Sequence, residues 1–200
     1  MICAVVLAAG QSQRMGVQKL LLPFGRSTVI GHIADQLVES VVGAVYVVVG
    51  SDRAAIADAL SGRPVAIIEN PQPDSEMLHS VRCGLRALPP VCRAVLVALG
   101  DQPGITPGLV NALVAAFDSS DKGIVVPTHG GRRGHPLLFS IRQRERILSS
   151  YHEVGLRGLL CEHPDEVLEV PVAWPAAISD MDCSEDYRRE LRRWRGNGPS

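Results

Sequence analysis

The residues with the most chemical potential lie close together near the start of the chain, in Leu7-Ala8-Ala9-Gly10-Gln11-Ser12-Gln13-Arg14-Met15-Gly16-Val17-Gln18-Lys19. An apolar run stops at Gly10. Gly10 and Gly16 then enclose a polar segment carrying Arg14, and Lys19 follows three residues later. Glycines let backbone N–H groups approach phosphate oxygens closely. A guanidinium offers such an anion a two-pronged fork, and an ammonium a mobile point charge. The spacing is not a Walker A loop, which needs G-K-[ST], and it is not G-x-G-x-x-G. Taken alone, it also admits an ordinary connection with two solvent-facing cations.

A second chemical feature is Gly100-Asp101-Gln102-Pro103, which follows the apolar run Ala94–Leu99 directly. A carboxylate at the end of a central strand is well placed to hold a hard cation over a phosphate loop. Magnesium takes only a few carboxylates and completes its shell with substrate phosphates and water, so one or two aspartates suffice. Asp also favours such a turn through its own side-chain hydrogen bonds.

These loops need a scaffold, and the pattern of the chain supplies one. Continuous Val- and Ile-rich runs at residues 2–9, Ala44–Val49, Val65–Glu69, Ala94–Leu99 and residues 123–127 are bounded by Gly, Pro, Asn or Asp. Unbroken rather than alternating runs predict strands covered on both faces, as in a parallel sheet. Between them, Val29, Ile30, Ile33, Ala34, Leu37, Val38 and Val41 recur at helical spacing behind Ser27 and Thr28, which can cap the first turn. Thr106-Pro107 reads as a helix start before Leu109, Val110, Leu113, Val114 and Phe117. Ser184 is a candidate cap for a final helix with Tyr187, Leu191 and Trp194 on one stripe. The alternation predicts a doubly wound α/β fold in one domain over residues 1–195, with a frayed tail at 196–200. Open sheets of this kind bind ligands beyond the carboxyl ends of their strands, where both loops would lie.

Composition narrows the function classes. The chain has 200 residues, is 46% hydrophobic and 20% charged, and carries a formal net charge of -1. That balance argues against a nucleic-acid binder relying on a broad basic surface, though not against a nucleotide. The arginines of the segment 188–195 read as the solvated face of an amphipathic helix. Cys3, Cys83, Cys92, Cys161 and Cys183 are odd in number, scattered and without a C-x-x-C pair, which fits reduced thiols better than a zinc site or disulfide framework. No apolar run reaches spanning length, and the first lacks a basic leader. The expectation is a cytoplasmic protein with no membrane partner.

The run L-A-A-G-x-S-x-R-M-G-x-x-K-L-L-L-P resembles the signature of the MobA-like nucleotidyltransferases, especially the branch that makes molybdopterin cytosine dinucleotide. The resemblance implies a Rossmann-like, GT-A-like fold and a magnesium-dependent transfer. It implies nucleotide contacts from Leu7, Ala8, Ala9, Gly10, Ser12, Arg14, Gly16 and Lys19, with Arg14 and Lys19 on the triphosphate. It also makes Asp101 the metal aspartate. The segment Asp180-Met181-Asp182-Cys183-Ser184-Glu185-Asp186-Tyr187 resembles the family's D-I-D-T-P-E-D-Y, which makes Asp182 the second ligand and Asp180 the next choice. Both acids would also suit a helix N-terminus.

Further matches are partial. Gly134-His135-Pro136 resembles the family's G-H-P, and Gly155-Leu156-Arg157 part of its G-D-x-G-A-R, with His152-Glu153 where the family has G-D. These imply acceptor contacts from Gly134, His135 and Arg157. The segment from Met77 to Leu85 resembles G-M-x-x-S-L-x-x-G-L, which implicates Ser80 on the base side, although Glu76 replaces the glycine. Ala8-Ala9-Gly10 is the cytidylyl spelling where the guanylyl branch has L-A-G-G, and a methyl at Ala9 narrows the pocket towards a pyrimidine. An acceptor phosphate is already ionised at neutral pH and needs no general base, so positioning and electrostatics carry the transfer and no Cys or His is assigned a catalytic role. The implied reaction joins CMP from CTP to molybdopterin, with a molybdenum hydroxylase as recipient of the product. The alternatives are GMP transfer, a sugar or polyol phosphate acceptor, or a non-catalytic cofactor-binding chaperone.

Overall fold

The computed structural model describes residues 1–10, 18–72, 76–173, 179 and 181–196. Its frame is a mixed sheet. β1 (Ile2–Ala8) lies between β4 (Ala44–Val49) and β6 (Ala94–Leu99), with β5 (Val65–Glu69) beyond β4. On the other side come β9 (Leu137–Ser140), β7 (Ile124–His129) and the edge strand β10 (Val167–Pro171), while the two-residue β8 (Arg132–Arg133) pairs with β7. β1, β4, β5 and β6 run parallel, as do β7 and β10, and β9 is antiparallel to both β6 and β7. A strand antiparallel to both neighbours leaves those neighbours pointing the same way. The carboxyl ends of β1, β4, β5, β6, β7 and β10 therefore share one end of the sheet.

Both faces are covered, as the unbroken apolar strands require. Alternate residues of β1 enter opposite cores: Ala4, Val6 and Ala8 join one, Cys3 and Val5 the other. The first core is closed by α1 (Val29–Val38), α4 (Pro107–Asp118) and α7 (Ser184–Gly196); the second by α3 (Met77–Ala87), α5 (Arg144–Ser149) and α6 (Leu156–Glu162). α2 (Arg53–Ala59) adds Ile56 to the first core. Thr28 and Thr106 cap α1 and α4 by accepting from Gly31 N at 3.1 Å and Leu109 N at 3.2 Å.

Several elements depart from the sequence reading. The first strand ends at Ala8 and the fifth runs on to His129. β9 and β10 escape it because each is a short apolar run beside a proline or acidic segment. Val41 lies beyond α1 and is 57% exposed, because the helix ends at Val38. Ser184 is the first residue of α7 rather than its cap; Asp186, at the third helical position, folds back as in a capping box, its Oδ2 accepting from the backbone N–H of Asp182 and Cys183, each at 3.1 Å. Gly196 is the last residue of α7, and the rest of the expected tail lies outside the described residues.

One glycine is required by close approach. Gly100 N donates to Leu7 O at 3.0 Å, and a Cβ at Gly100 would stand 2.8 Å from that oxygen. The contact joins the turn after β6 to the end of β1. Gly100→Ala is expected to lower unfolding stability by about 1–3 kcal/mol, the usual cost of forcing an extra methyl into a packed site; an unchanged urea midpoint would show that this junction yields freely.

Candidate functional site

The site forms where the carboxyl ends of β1 and β6 meet. A single 3-10 turn (Lys19–Leu21) follows the glycine loop and buries Leu20 against the first core. It is tied down from two sides. The side-chain amide of Gln18 donates to Asp52 beyond β4, and Gln18 Oε1 accepts from Leu20 N at 3.4 Å. Next comes a two-stranded ribbon, β2 (Pro23–Phe24) with β3 (Ser27–Thr28). α7 rests on this ribbon: the Tyr187 hydroxyl donates to Pro23 O at 2.6 Å, and Trp194 packs 5.9 Å from the Phe24 ring. Packing α7 there brings the segment just ahead of it to Asp101, where Met181 N donates to Asp101 O at 3.2 Å. Met181 itself is fully buried.

Three of the expected residues converge as a result. Lys19 Nζ lies 2.6 Å from Asp101 Oδ2 and 3.5 Å from Asp182 Oδ1, and it donates to Met181 O at 3.1 Å. The side chains of Lys19 and Asp101 are 16% and 24% exposed, so the ammonium–carboxylate pair is sheltered, while Asp182, at 53%, faces outward. The first pair is therefore poorly screened by water and salt, and the second is weak. Among the described residues no group of three or more His, Cys, Asp or Glu converges. Two carboxylates round one cationic point instead make a half-built shell. A hard divalent cation accepts such a donor set when substrate phosphates and water supply the other oxygens.

The neighbouring expectations fall as follows. Ala8 and Ala9 are buried, Leu7 is half-buried and Gly10 is exposed, with open space where a Cβ would lie. Ser12, Arg14 and Gly16 lie outside the described residues, as does Asp180. His135 lines a small cavity with Ala98, Leu99 and Gln102, which sets it beside the Asp101 turn. Gly134 N donates to Pro127 O at 2.9 Å and so lies at the carboxyl end of β7. Ser80 is buried on α3, and its Oγ accepts from Asn70 Nδ2 at 3.0 Å at the end of β5. Arg157 is exposed in the first turn of α6, on the face of the sheet away from α7. No described contact joins it to the Lys19 cluster.

Other groups fix the site without entering it. His32 Nε2 meets Pro103 O at 3.2 Å and pins the turn after Asp101; burial lowers the pKa of this ring. Burial pushes the Cys3 thiol up to about 12 and also raises Cys83, so neither supplies a thiolate at neutral pH. The arginines expected to be a solvated face are partly engaged: Arg189 and Arg193 both pair with buried Glu190.

Sequence reasoning missed the Met181 carbonyl, Asp52 and Asp186. The first is a backbone group that no residue type announces, Asp52 meets Gln18 across 34 positions, and Asp186 turns back onto N–H groups only three and four residues before it.

Residues 4–167 match the model of the MobA-like NTP transferase domain, and the chain belongs to that family of nucleotidyltransferases. Nicotine blue oxidoreductase of Paenarthrobacter nicotinovorans is 28% identical over 95% of this chain and 96% of its own length. Molybdenum cofactor cytidylyltransferase of Escherichia coli (strain K12) is 25% identical over 95% of each. Bifunctional protein GlmU of Allorhizobium ampelinum is 34% identical over 61% of this chain, which spans only 28% of that protein. Among solved structures, a nucleotidyl transferase from Methanothermobacter thermautotroptrophicus superposes with a TM-score of 0.87 at 26% identity, covering 99% of both chains. Rv0371C from Mycobacterium tuberculosis H37Rv, in complex with manganese, superposes at 0.77 with 27% identity over 96% of this chain and 98% of its own. No helix among the described residues is long and apolar enough to cross a membrane.

Asp186 offers a check on how the site is held. Its carboxyl is drawn down to about 2, first by the Cys183 thiol donating to it and then by Arg189 and the backbone N–H groups of Cys183 and Asp182, against an opposing effect of burial. A depressed carboxyl contributes stability that is complete above its unfolded value near 4 and lost as pH falls towards 2. Wild-type stability is expected to fall more steeply across that window than that of Asp186→Asn; parallel urea-midpoint curves would remove Asp186 from the cap.

Proposed function

We propose that this nucleotidyltransferase transfers CMP from CTP to molybdopterin, releasing pyrophosphate, with Mg2+ as its metal. The observation that carries the reading is the convergence of Lys19, Asp101 and Asp182 at the carboxyl ends of β1 and β6. One cationic atom already sits within reach of both carboxylates, so the donor set fits a divalent cation. Asp101 and Asp182 would hold it. When bound, the metal offsets charge on the triphosphate oxygens and orients the α-phosphate.

The rest of the work falls to the chain. The backbone after Ala9 and at Gly16, with the side chains of Ser12 and Arg14, receives the triphosphate, Arg14 as a fork. Lys19, released from part of its contact with the acids, follows the charge towards the leaving pyrophosphate. Gly134, His135 and Arg157 hold the acceptor, whose ionised phosphate attacks without a general base. The geometry aligns the two reactants and counters their repulsion, which is how most of the barrier to phosphoryl-type transfer is lowered. On the base side, Ser80 and the methyl of Ala9 favour the smaller pyrimidine. The full-length similarity to a molybdenum cofactor cytidylyltransferase supports this choice of substrates.

A second reading comes from the full-length similarity to an enzyme named as an oxidoreductase. A redox reaction with a nicotinamide dinucleotide would use the phosphate loop but release no pyrophosphate. The paired carboxylates beside Lys19 favour transfer, since hydride chemistry does not need them.

Incubating the protein with each of the four NTPs, molybdopterin and Mg2+ is expected to give a cytosine dinucleotide and pyrophosphate by mass spectrometry, with chelation by EDTA stopping turnover. Asp101→Ala is expected to lower kcat by about 1000-fold. Undiminished turnover in that variant would take Asp101 out of the mechanism. Dinucleotide from GTP instead would reassign the base, and tight cofactor binding with silence for every triphosphate would favour the chaperone.

A further inference from the structure

Arg82 is a charged group that the transfer does not use. It lies in the middle of α3, is only 8% exposed, and has no carboxylate among its described partners. Its guanidinium instead grips one stretch of chain with all three nitrogens. Nε donates to Ile147 O at 2.9 Å, one terminal nitrogen to Ser150 O at 2.7 Å, and the other to His152 Nδ1 at 3.2 Å. Ile147 and Ser150 belong to the last turn and C-cap of α5, where carbonyls lack helical partners and a cation is favoured. Burying a guanidinium is costly unless its donors are met. Here the acceptors that meet them come from the last turn of α5 and the connection to α6.

The contacts also fix the form of His152. A guanidinium only donates, so Nδ1 must be a bare acceptor, and the ring proton resides on Nε2, which reaches Ser149 O at 3.1 Å. Both ring nitrogens are thereby committed to holding the loop. The next constraint is Tyr151, buried and at a φ of 70°, a left-handed conformation that strains a residue with a side chain. Its ring lies so close to Gly158 that a Cβ there would overlap it. The chain of contacts therefore runs from Arg82 through the 150–152 turn to α6.

Topology says which end of the sheet this loop occupies. β9 runs opposite to its neighbours and ends at Ser140 on their amino side, where Ser140 N bonds Gly123 O. β10 runs parallel to β7 and is entered from that same side. The α5–α6 pair must rise and descend between them, which puts the connecting loop and Arg157 at the carboxyl end, with the Lys19 cluster. α3 reaches that end too, because it follows directly on β5, and Ser80 lies two residues before Arg82.

We infer that Arg82, acting with His152, is a positioning residue that sets the acceptor side of the site by locking the loop from Ser150 to Gly155 and hence the placement of Arg157. It joins the helix bearing the base-side Ser80 to the loop that leads into α6 and the acceptor-side Arg157. His152 is the part peculiar to this sequence, since it stands where the family resemblance would put Gly. The inference rests on the acceptor reading of Arg157 given above.

The test compares the full-length wild type with Arg82→Lys, His152→Ala, His152→Asn and the double variant Arg82→Lys/His152→Ala. Lysine keeps the charge but cannot span three acceptors. Asn can accept from Arg82 as Nδ1 does, whereas Ala cannot. With CTP and molybdopterin, Arg82→Lys is expected to raise the molybdopterin KM about tenfold while kcat and the CTP KM stay within about twofold. His152→Ala should shift it in the same direction, His152→Asn should restore it, and the double variant should lose less than the product of the two single losses. Amide exchange at residues 151–158 should accelerate in Arg82→Lys, His152→Ala and the double variant, but not in His152→Asn. An active wild type whose Arg82→Lys variant raises both KM values equally, or neither, would overturn the inference and leave the proposed reaction standing. If wild type is silent with molybdopterin, the proposed acceptor fails by itself, and unchanged exchange at 151–158 in Arg82→Lys would overturn the lock as well.

Discussion

The site depends on one sheltered charge contact, the Lys19 ammonium 2.6 Å from the Asp101 carboxylate, with the Met181 carbonyl and Asp182 closing round it. Three distant parts of the chain meet there: the turn after β1, the turn after β6 and the lead-in to α7. Each brings a charge or dipole that is stabilised by the other two. The lysine offsets two carboxylates that would repel each other across the same space, and the carboxylates hold the lysine between the turn after β6 and the lead-in to α7. On the proposed reading, a divalent cation and a triphosphate enter this cluster by substitution, the metal taking up the acids and the phosphates the lysine. The charges are already in place, so little reorganisation is required when substrate arrives.

Backbone constraints make the contact possible. Gly100 passes so close to the Leu7 carbonyl that no side chain fits, which locks the Asp101 turn to the end of β1. Gln18 ties the Lys19 turn to Asp52, and Asp186 holds the two N–H groups beside Asp182. The two cores then divide the labour. The helices α1, α4 and α7 support the side proposed for phosphate and metal, and α3, α5 and α6 the loops proposed for base and acceptor. Arg82 couples elements within the second group, where a loop held at a left-handed Tyr151 would otherwise relax.

Much of this was legible in the residues. The strands Ala44–Val49, Val65–Glu69 and Ala94–Leu99 announced themselves by unbroken β-branched runs between turn formers, and the Thr28 and Thr106 caps by a hydroxyl ahead of an apolar stripe. Lys19 could be named because it falls in a long signature, Asp101 because it follows a strand end, and Asp182 because its segment resembles a shorter family motif. What could not be read was anything fixed by long-range contact. β9 and β10 are short, and only the sheet decides that one is inserted antiparallel between β6 and β7. The Met181 carbonyl is a backbone group. Ser184 opens α7 instead of capping it, and Asp186 reaches back to two N–H groups at once, a local choice among neighbouring acids and hydroxyls that residue types leave open. Arg82 looked like any helical arginine, since its three acceptors lie 65 or more positions away.

The central claim is that Asp101 and Asp182 share one divalent cation with the nucleotide's phosphates while Lys19 turns to the charge beside it. Manganese electron paramagnetic resonance, titrating Mn2+ into the protein with a non-hydrolysable CTP analogue, tests this directly. The account predicts a tight site that needs the analogue, weakens in Asp101→Asn and in Asp182→Asn, and disappears when both are changed. Equal Mn2+ affinity in wild type and the double variant would contradict it.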